Sequence, residues 1–242
     1  MRHLILLISL NLTISFTQAQ ISHQKWDVLL KEHVSTDGKV DYKGFIQDLN
    51  KLDAYLTLLS ENPPKTSWTK NQKLAYWINA YNAFTVKLIS DNYPLKSIQE
   101  LHPTVKIPGI STVWHKAFFQ IGGEDESLND IEHKILRKQF DEPRIHFAIN
   151  CASFSCPNLR NEAYTPSKLE MQLEEQTKAF INDPTKNTIN TNEIEISKIF
   201  SWFKKDFTKQ ESLIAFLNKY AATQIDSGAD INHKAYNWML NE

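Results

Sequence analysis

The chain has 242 residues, 41% of them hydrophobic and 23% charged, and 27 basic against 28 acidic residues leave a formal net charge of −1. That length builds a full core without staples, and the absence of any Lys/Arg run or basic stripe excludes an electrostatic nucleic-acid binder. There are two cysteines, Cys151 and Cys156.

The chain opens as a targeting segment. Arg2 and His3 precede an apolar run over residues 4–16, and Thr17-Gln18-Ala19 fits a small-x-small cleavage site. The run is shorter than the roughly 20 apolar residues that span a bilayer. We therefore expect a signal peptide at 1–19, a single domain at 20–242 that is not membrane-spanning after cleavage, and a secreted or periplasmic location, where disulfides persist.

Trp26, Leu29, Leu30 and Val34 recur at helical spacing, and Asp37-Gly38 ends that helix. Leu49, Leu52, Tyr55, Leu56 and Leu59 mark another, stopped by Pro63-Pro64. Ser67 or Thr69 caps a long helix to about residue 90, with Pro94 beyond its end. Residues 95–110 read as loop. Residues 117–121 and 126–128 around Gly122-Gly123 read as a hairpin. Ser127 or Asn129 caps a short helix carrying Ile131, Ile135 and Leu136. Thr165-Pro166 begins another helix, to about residue 182. A second hairpin is expected over 188–197, a helix over 212–222, and a last strand over 233–240. Helices mixed with short strands point to an α+β fold, with several helices packed on a small, mostly antiparallel sheet.

Residues 144–160, RIHFAINCASFSCPNLR, hold both cysteines. Ile145, Phe147 and Ile149 alternate with His146, Ala148 and Asn150, which is strand period. Ser153 and Ser155 stand where helix caps stand, with Pro157 in the first turn after them. A thiol between a strand end and a helix N-terminus has its pKa lowered toward the reactive thiolate.

Four motifs, YWINAYNAF at 76–84, SLNDIEHKILR at 127–137, the cysteine segment at 144–160 and IFSWFKKDF at 199–207, together with the tail YNWMLN at 236–241, resemble the domain of unknown function 547 family, in its secreted bacterial branch. The resemblance runs from about Trp26 to Asn241 and carries no settled activity. It implies that Asn79, Asn82, Glu132, Arg137 and Cys151 occupy the family's most regular positions, which ranks Cys151 above Cys156 as a functional thiol.

On the long helix, Asn79 and Asn82 lie in or beside the apolar stripe, while Lys73, Ala80 and Lys87 lie opposite and can face water. A buried amide needs partners, so each Asn either clamps a loop or donates to a developing oxyanion. Glu132 faces partly inward and wants a cation; Arg137 is nearest in sequence, at a spacing poor for an α-helix. His133 is a candidate general base for Cys151, or a half-buried packing histidine. His146 falls on the strand face away from Cys151 unless the chain bends after Asn150. Trp202, Phe203 and Phe207 read as core, with Asp206 free to meet a helix N-terminus or Arg160.

Three readings of the cysteines stay open: a Cys151–Cys156 disulfide, a reactive thiol, and a metal site with His133 and His146, for which no HExxH or paired CxxC gives support. The reading takes no cofactor and leaves the substrate or envelope partner and the oligomeric state unnamed. The first functional expectation is a thiol-dependent hydrolase or acyltransferase acting on amide bonds, built from Cys151, His133, Asn82 and Glu132, papain- or transglutaminase-like by analogy only. The alternative is a non-catalytic envelope binding module with a structural disulfide.

Overall fold

The computed structural model describes residues 21–104 and 112–242. The expected signal peptide and its cleavage site lie outside the described residues. No helix among the described residues is long and apolar enough to cross a membrane.

The first helices form as their spacing dictates. Helix α1 (Gln24–His33) buries Trp26, Leu29, Leu30 and His33. After α2 (Tyr42–Gln47), whose N-cap Asp41 accepts from the Gly44 N–H, α3 (Leu49–Glu61) buries Leu52, Tyr55, Leu56 and Leu59. The long helix α4 (Lys70–Asn92) starts at a reciprocal cap: Gln72 N–H donates to Thr69 Oγ1 (3.2 Å), and Thr69 N–H donates to Gln72 Oε1 (2.7 Å). It packs on α2, α3 and the helix that carries Glu132. Its burial runs almost all the way round, so Ala80 does not face water, contrary to the amphipathic reading. Elements cover α4 on several sides, and a small residue at position 80 is what lets them approach.

The strands divide between two sheets, which completes the α+β class. Strands β1 (Phe119–Ile121) and β2 (Glu124–Glu126) form an antiparallel hairpin in which Ile121 faces Glu124. Gly122 and Gly123 turn it with φ of 65° and 85°, the sign that a tight two-residue hairpin loop requires. In the second sheet, β3 (Thr188–Ile189) pairs antiparallel with β4 (Glu193–Ile196), and β5 (Asp230–His233) runs parallel to β4. The last strand therefore comes earlier than expected. The tail beyond it threads along the cysteine loop instead: Phe154 N–H donates to the Met239 carbonyl (2.7 Å) and Ser155 N–H to the Asn237 carbonyl (3.1 Å).

Residues 144–150 are not a strand. Residues Pro143–Phe147 form a 3-10 turn, with Pro143 at its start and Glu142 accepting from the Arg144 N–H. The alternation misled because the segment is enclosed on every side: His146 and Ala148 are buried along with Ile145 and Phe147. No helix follows Pro157 directly. Residues 153–156 turn back on themselves, Cys156 N–H donating to the Ser153 carbonyl, and the next helix begins only at Leu169. The helix-dipole argument for a low Cys151 pKa therefore falls.

The remaining helices are short: α5 (Arg137–Gln139), α6 (Leu169–Ile181), α7 (Ile199–Trp202), α8 (Lys204–Phe207) and α9 (Leu213–Asn218). Buried side chains fall into two clusters. One surrounds α4; the other is an aromatic core of Phe147, Phe180, Phe200, Phe207 and Phe216 with isoleucines of the second sheet. The segment 144–157 runs between them.

Candidate functional site

One pocket collects most of the chemistry-bearing residues. Tyr81, Glu132, His133, His146, Cys151 and Cys156 all line it, under a rim of Trp114, Trp202, Phe203, Tyr236 and Trp238. The rim rings contact one another: Trp238 lies 5.5 Å from Trp114, 5.8 Å from Trp202 and 4.5 Å from Tyr236, centroid to centroid. Trp202 is 48% exposed. The aromatic run after β4 is thus split: Phe200 and Phe207 fill core as expected, while Trp202 and Phe203 form pocket wall.

Glu132 and His133 sit on a π-helix, Asp130–Leu136. The Arg137 N–H closes its last turn on the Glu132 carbonyl, five residues back. That wider turn is rare, and is frequently found at functional sites. It changes which side chains share a face. Arg137 does not bond to Glu132: its Nη1 donates to His133 Nδ1 (2.8 Å), and its Nε and Nη2 donate to Asp206 (2.6 and 3.1 Å). Glu132 keeps one long contact, from the Tyr81 hydroxyl at 3.4 Å. Burial pushes its carboxyl up to about 7, with Arg137 a smaller opposing influence. His133 is driven the other way, down to about 4, by burial and then by the Arg137 charge. It is a neutral ring whose Nδ1 is already occupied.

His146 is placed more strictly. Phe203 stacks on its ring at 3.9 Å, and its Nε2 lies 2.8 Å from Asp206 Oδ2. Burial favours the neutral carboxyl of Asp206, but hydrogen bonds from His146 and Arg137 outweigh it and hold that group well below the usual carboxylate range. An ionised Asp206 has no proton to give, so Nε2 is the donor and Nδ1 is a bare acceptor. Nδ1 is buried and has no hydrogen-bond partner among the described residues. Burial lowers the His146 pKa against the pull of Asp206. Asp206 meets neither a helix N-terminus nor Arg160, which bonds Glu162 and Glu175 instead.

Cys151 and Cys156 form a disulfide, with Cα atoms 6.2 Å apart. Of the three readings of the cysteines, the structure takes this one. Cys156 is 5% exposed and Cys151 half-buried. Cys151 N–H donates to Cys156 Sγ (3.0 Å), and the Tyr236 hydroxyl stands 3.3 Å from Cys156 Sγ and 3.4 Å from Cys151 Sγ. Ala152, next in the chain, has φ of 60°, the one non-glycine residue with positive φ among the described residues. For a residue bearing Cβ that conformation costs roughly 1–2 kcal/mol.

The two asparagines do not reach the pocket. Asn79 Nδ2 donates to the Tyr164 carbonyl (2.8 Å) and its Oδ1 accepts from the Tyr164 N–H (3.0 Å). Asn82 does the same one turn on, donating to the Ala148 carbonyl (2.9 Å) and accepting from the Asn150 N–H (2.8 Å). Each buried amide spends one N–H and its oxygen on loop backbone. Asn82 holds the start of the loop that presents Cys151, and Asn150 continues the grip by accepting from the Ala152 N–H (2.8 Å).

Of the residues that sequence reasoning singled out, Glu132, His133 and Cys151 line one pocket, and Asn82 does not. Sequence reasoning missed the His146–Asp206 pair, because a strand reading turned His146 away. It also missed Tyr236 and Trp238; their density in the YNWMLN tail was the available signal. Among the described residues, one group of three potential metal ligands occurs, Glu32, His33 and Asp48, away from this pocket.

Residues 65–181 match the family described as Protein of unknown function, DUF547. The chain resembles that family over this segment, just under half of its length, which takes in α4, the π-helix, the cysteine loop and α6. The motifs at 199–207 and 236–241 lie outside it. No curated protein and no solved structure matches the chain.

Proposed function

We propose that the chain is an exported thiol-dependent hydrolase or acyltransferase acting on amide bonds, with Cys151 as nucleophile once the bond to Cys156 is reduced. The observation that carries this reading is the bare Nδ1 of His146, in a ring fixed by Asp206 and Phe203, in a residue that lines the same pocket as both cysteines. His146 rather than His133 is the base, since His133 Nδ1 is taken by Arg137.

The reaction balances with these groups. His146 Nδ1 takes the Cys151 proton, and the thiolate attacks the amide carbonyl carbon. The C–N bond breaks, the imidazolium gives its proton to the departing amine, and a thioester remains. Water, or an amine in the acyltransferase case, attacks the thioester carbon and passes its proton to His146; the thiol is released as the C–S bond breaks. Asn82 is turned to the loop backbone and does not line the pocket, so it is not the oxyanion donor. Glu132, whose carboxyl is pushed up to about 7 by burial, offers a donor when protonated.

The disulfide favours a second reading, a non-catalytic envelope binding module whose aromatic-rimmed pocket holds a ligand. Alkylation separates the two. In Cys156→Ser, Cys151 should react with iodoacetamide faster than a model thiol below its free pKa of about 8.5, and His146→Ala added to that background should slow it. Labelling no faster than a model thiol would leave the binding module as the better account.

A further inference from the structure

We propose that the Cys151–Cys156 pair is a reversible redox couple that exchanges disulfides with small thiols entering the aromatic-rimmed pocket. This activity is independent of the amide reaction above.

The argument starts from which sulfur can be attacked. Both sulfurs line the pocket, but Cys156 is 5% exposed while Cys151 is half-buried. An incoming thiolate therefore meets Cys151, and Cys156 is the leaving group. Hydroxyls stand beside both sulfurs, Ser153 Oγ at 3.3 Å and Tyr236 Oη at 3.4 Å from Cys151 Sγ, but the contacts with an assigned donor go to Cys156 Sγ. Ser153 Oγ donates to the Tyr236 hydroxyl (3.0 Å), which leaves the single Tyr236 proton for Cys156 Sγ (3.3 Å). Cys151 N–H supplies a second bond to the same sulfur (3.0 Å). A disulfide sulfur has no proton and accepts weakly, whereas a thiolate accepts strongly. Donors aimed at Cys156 thus stabilise the reduced form more than the oxidised one, and they make Cys156 the better leaving group. Burial pushes the Tyr236 phenol above its ordinary pKa, so it keeps the proton it donates.

The exchange balances. The first small thiolate attacks Cys151 Sγ; the S–S bond breaks and its electron pair leaves on Cys156 Sγ, which takes up a proton. A second small thiolate attacks the small-molecule sulfur of the mixed disulfide, and Cys151 leaves as thiolate and is protonated. Two electrons and two protons pass from two small thiols to the protein, and the thiols leave joined as a disulfide. The reverse steps with a small disulfide reoxidise the pair.

The test equilibrates the folded full chain with mixtures of reduced and oxidised glutathione, quenches with acid, alkylates, and reads the fraction of paired cysteines by mass. A reversible transition is expected within the accessible mixtures. In Tyr236→Phe, which keeps the ring against Trp202 and Trp238, the midpoint should move about tenfold toward the disulfide, the loss of one hydrogen bond to the thiolate. Ser153→Ala should move it the same way by less, and it carries the test if Tyr236→Phe fails to fold. A bond that stays closed in every mixture while the protein remains folded would overturn the proposal. So would a midpoint that neither substitution moves.

Discussion

Two sets of inward-facing polar side chains sit on or against α4, and they differ in one respect. Asn79 and Asn82 have both ends of their amides occupied by backbone groups of a neighbouring segment. Around the pocket, among the described residues, Glu132 has one hydrogen bond, at 3.4 Å, and His146 carries a ring nitrogen with no partner. A buried polar group with all its partners is already spent on architecture; one without them is held at a cost that an incoming ligand or proton can relieve. The residue types alone do not tell the two sets apart. The difference lies in how completely each group is satisfied.

The largest effect expected from the unsatisfied set is on pH dependence. The folded-state pKa of Glu132, about 7, stands above its ordinary 4.5. Between those values the folded protein binds more protons than the unfolded chain, so stability should fall as pH rises through that window and level off above it. The ceiling is about 3 kcal/mol, lowered by whatever solvent in the pocket screens the charge. Urea denaturation of wild type and Glu132→Gln from pH 4 to 8 checks this. The variant should lack the fall, and an identical slope in both proteins would contradict the placement of Glu132.

The satisfied set should behave in the opposite way. Asn79→Leu and Asn82→Leu each leave a backbone N–H and a carbonyl without their bonds, at about 1–3 kcal/mol. Neither side chain titrates, so the loss should be the same at every pH where the protein folds. Asn82→Leu should also speed hydrogen exchange at Asn150, and Asn79→Leu at Tyr164. A pH-dependent loss in either would blur the distinction between the two sets.

Asp206 stands between them, with a saturated carboxylate that fixes an unsaturated histidine. Its folded pKa is depressed, so its contribution is present above the ordinary value of 3.8 and is lost as pH falls below it. Asp206→Asn should lower stability by about 1–2 kcal/mol at neutral pH, and that difference should narrow in acid. Thermal or urea midpoints of the two proteins at pH 7 and pH 3 measure it. A gap unchanged between the two conditions would mean that packing, not charge, ties Asp206 in place.

Much of this was legible in the chain, and the errors share a cause. The spacing in α1, α3 and α4, the Thr69 cap, the Gly122-Gly123 turn and the inward asparagines all follow from local pattern, which local physics controls. The segment 144–150 failed because period-2 alternation reports a half-buried strand, and this segment is buried throughout, in a turn set by Pro143 and Glu142. The π-helix failed because no sequence period announces an extra residue per turn, yet it decides that Arg137 serves His133 and Asp206 rather than Glu132. Tyr236 meets the sulfurs across 80 residues of chain, and such pairings are set by tertiary packing alone.

The smallest expected effect is a control on all the others. Thr69 and Gln72 cap α4, and α4 carries both Asn82, which holds the cysteine loop, and Tyr81, which touches Glu132. Thr69→Ala should cost about 1 kcal/mol, the usual loss of an N-cap. Its measure is the urea midpoint, set beside the iodoacetamide labelling rate of Cys151 in the Cys156→Ser background. The midpoint should drop and the rate should stay as it was, because the cap lies at the far end of the helix from Asn82, three turns of intact hydrogen bonding away. If the labelling rate falls with the midpoint, the pocket is coupled to global stability. Changes seen on replacing Glu132, His146 or Asp206 would then need correcting for stability before being read as chemistry.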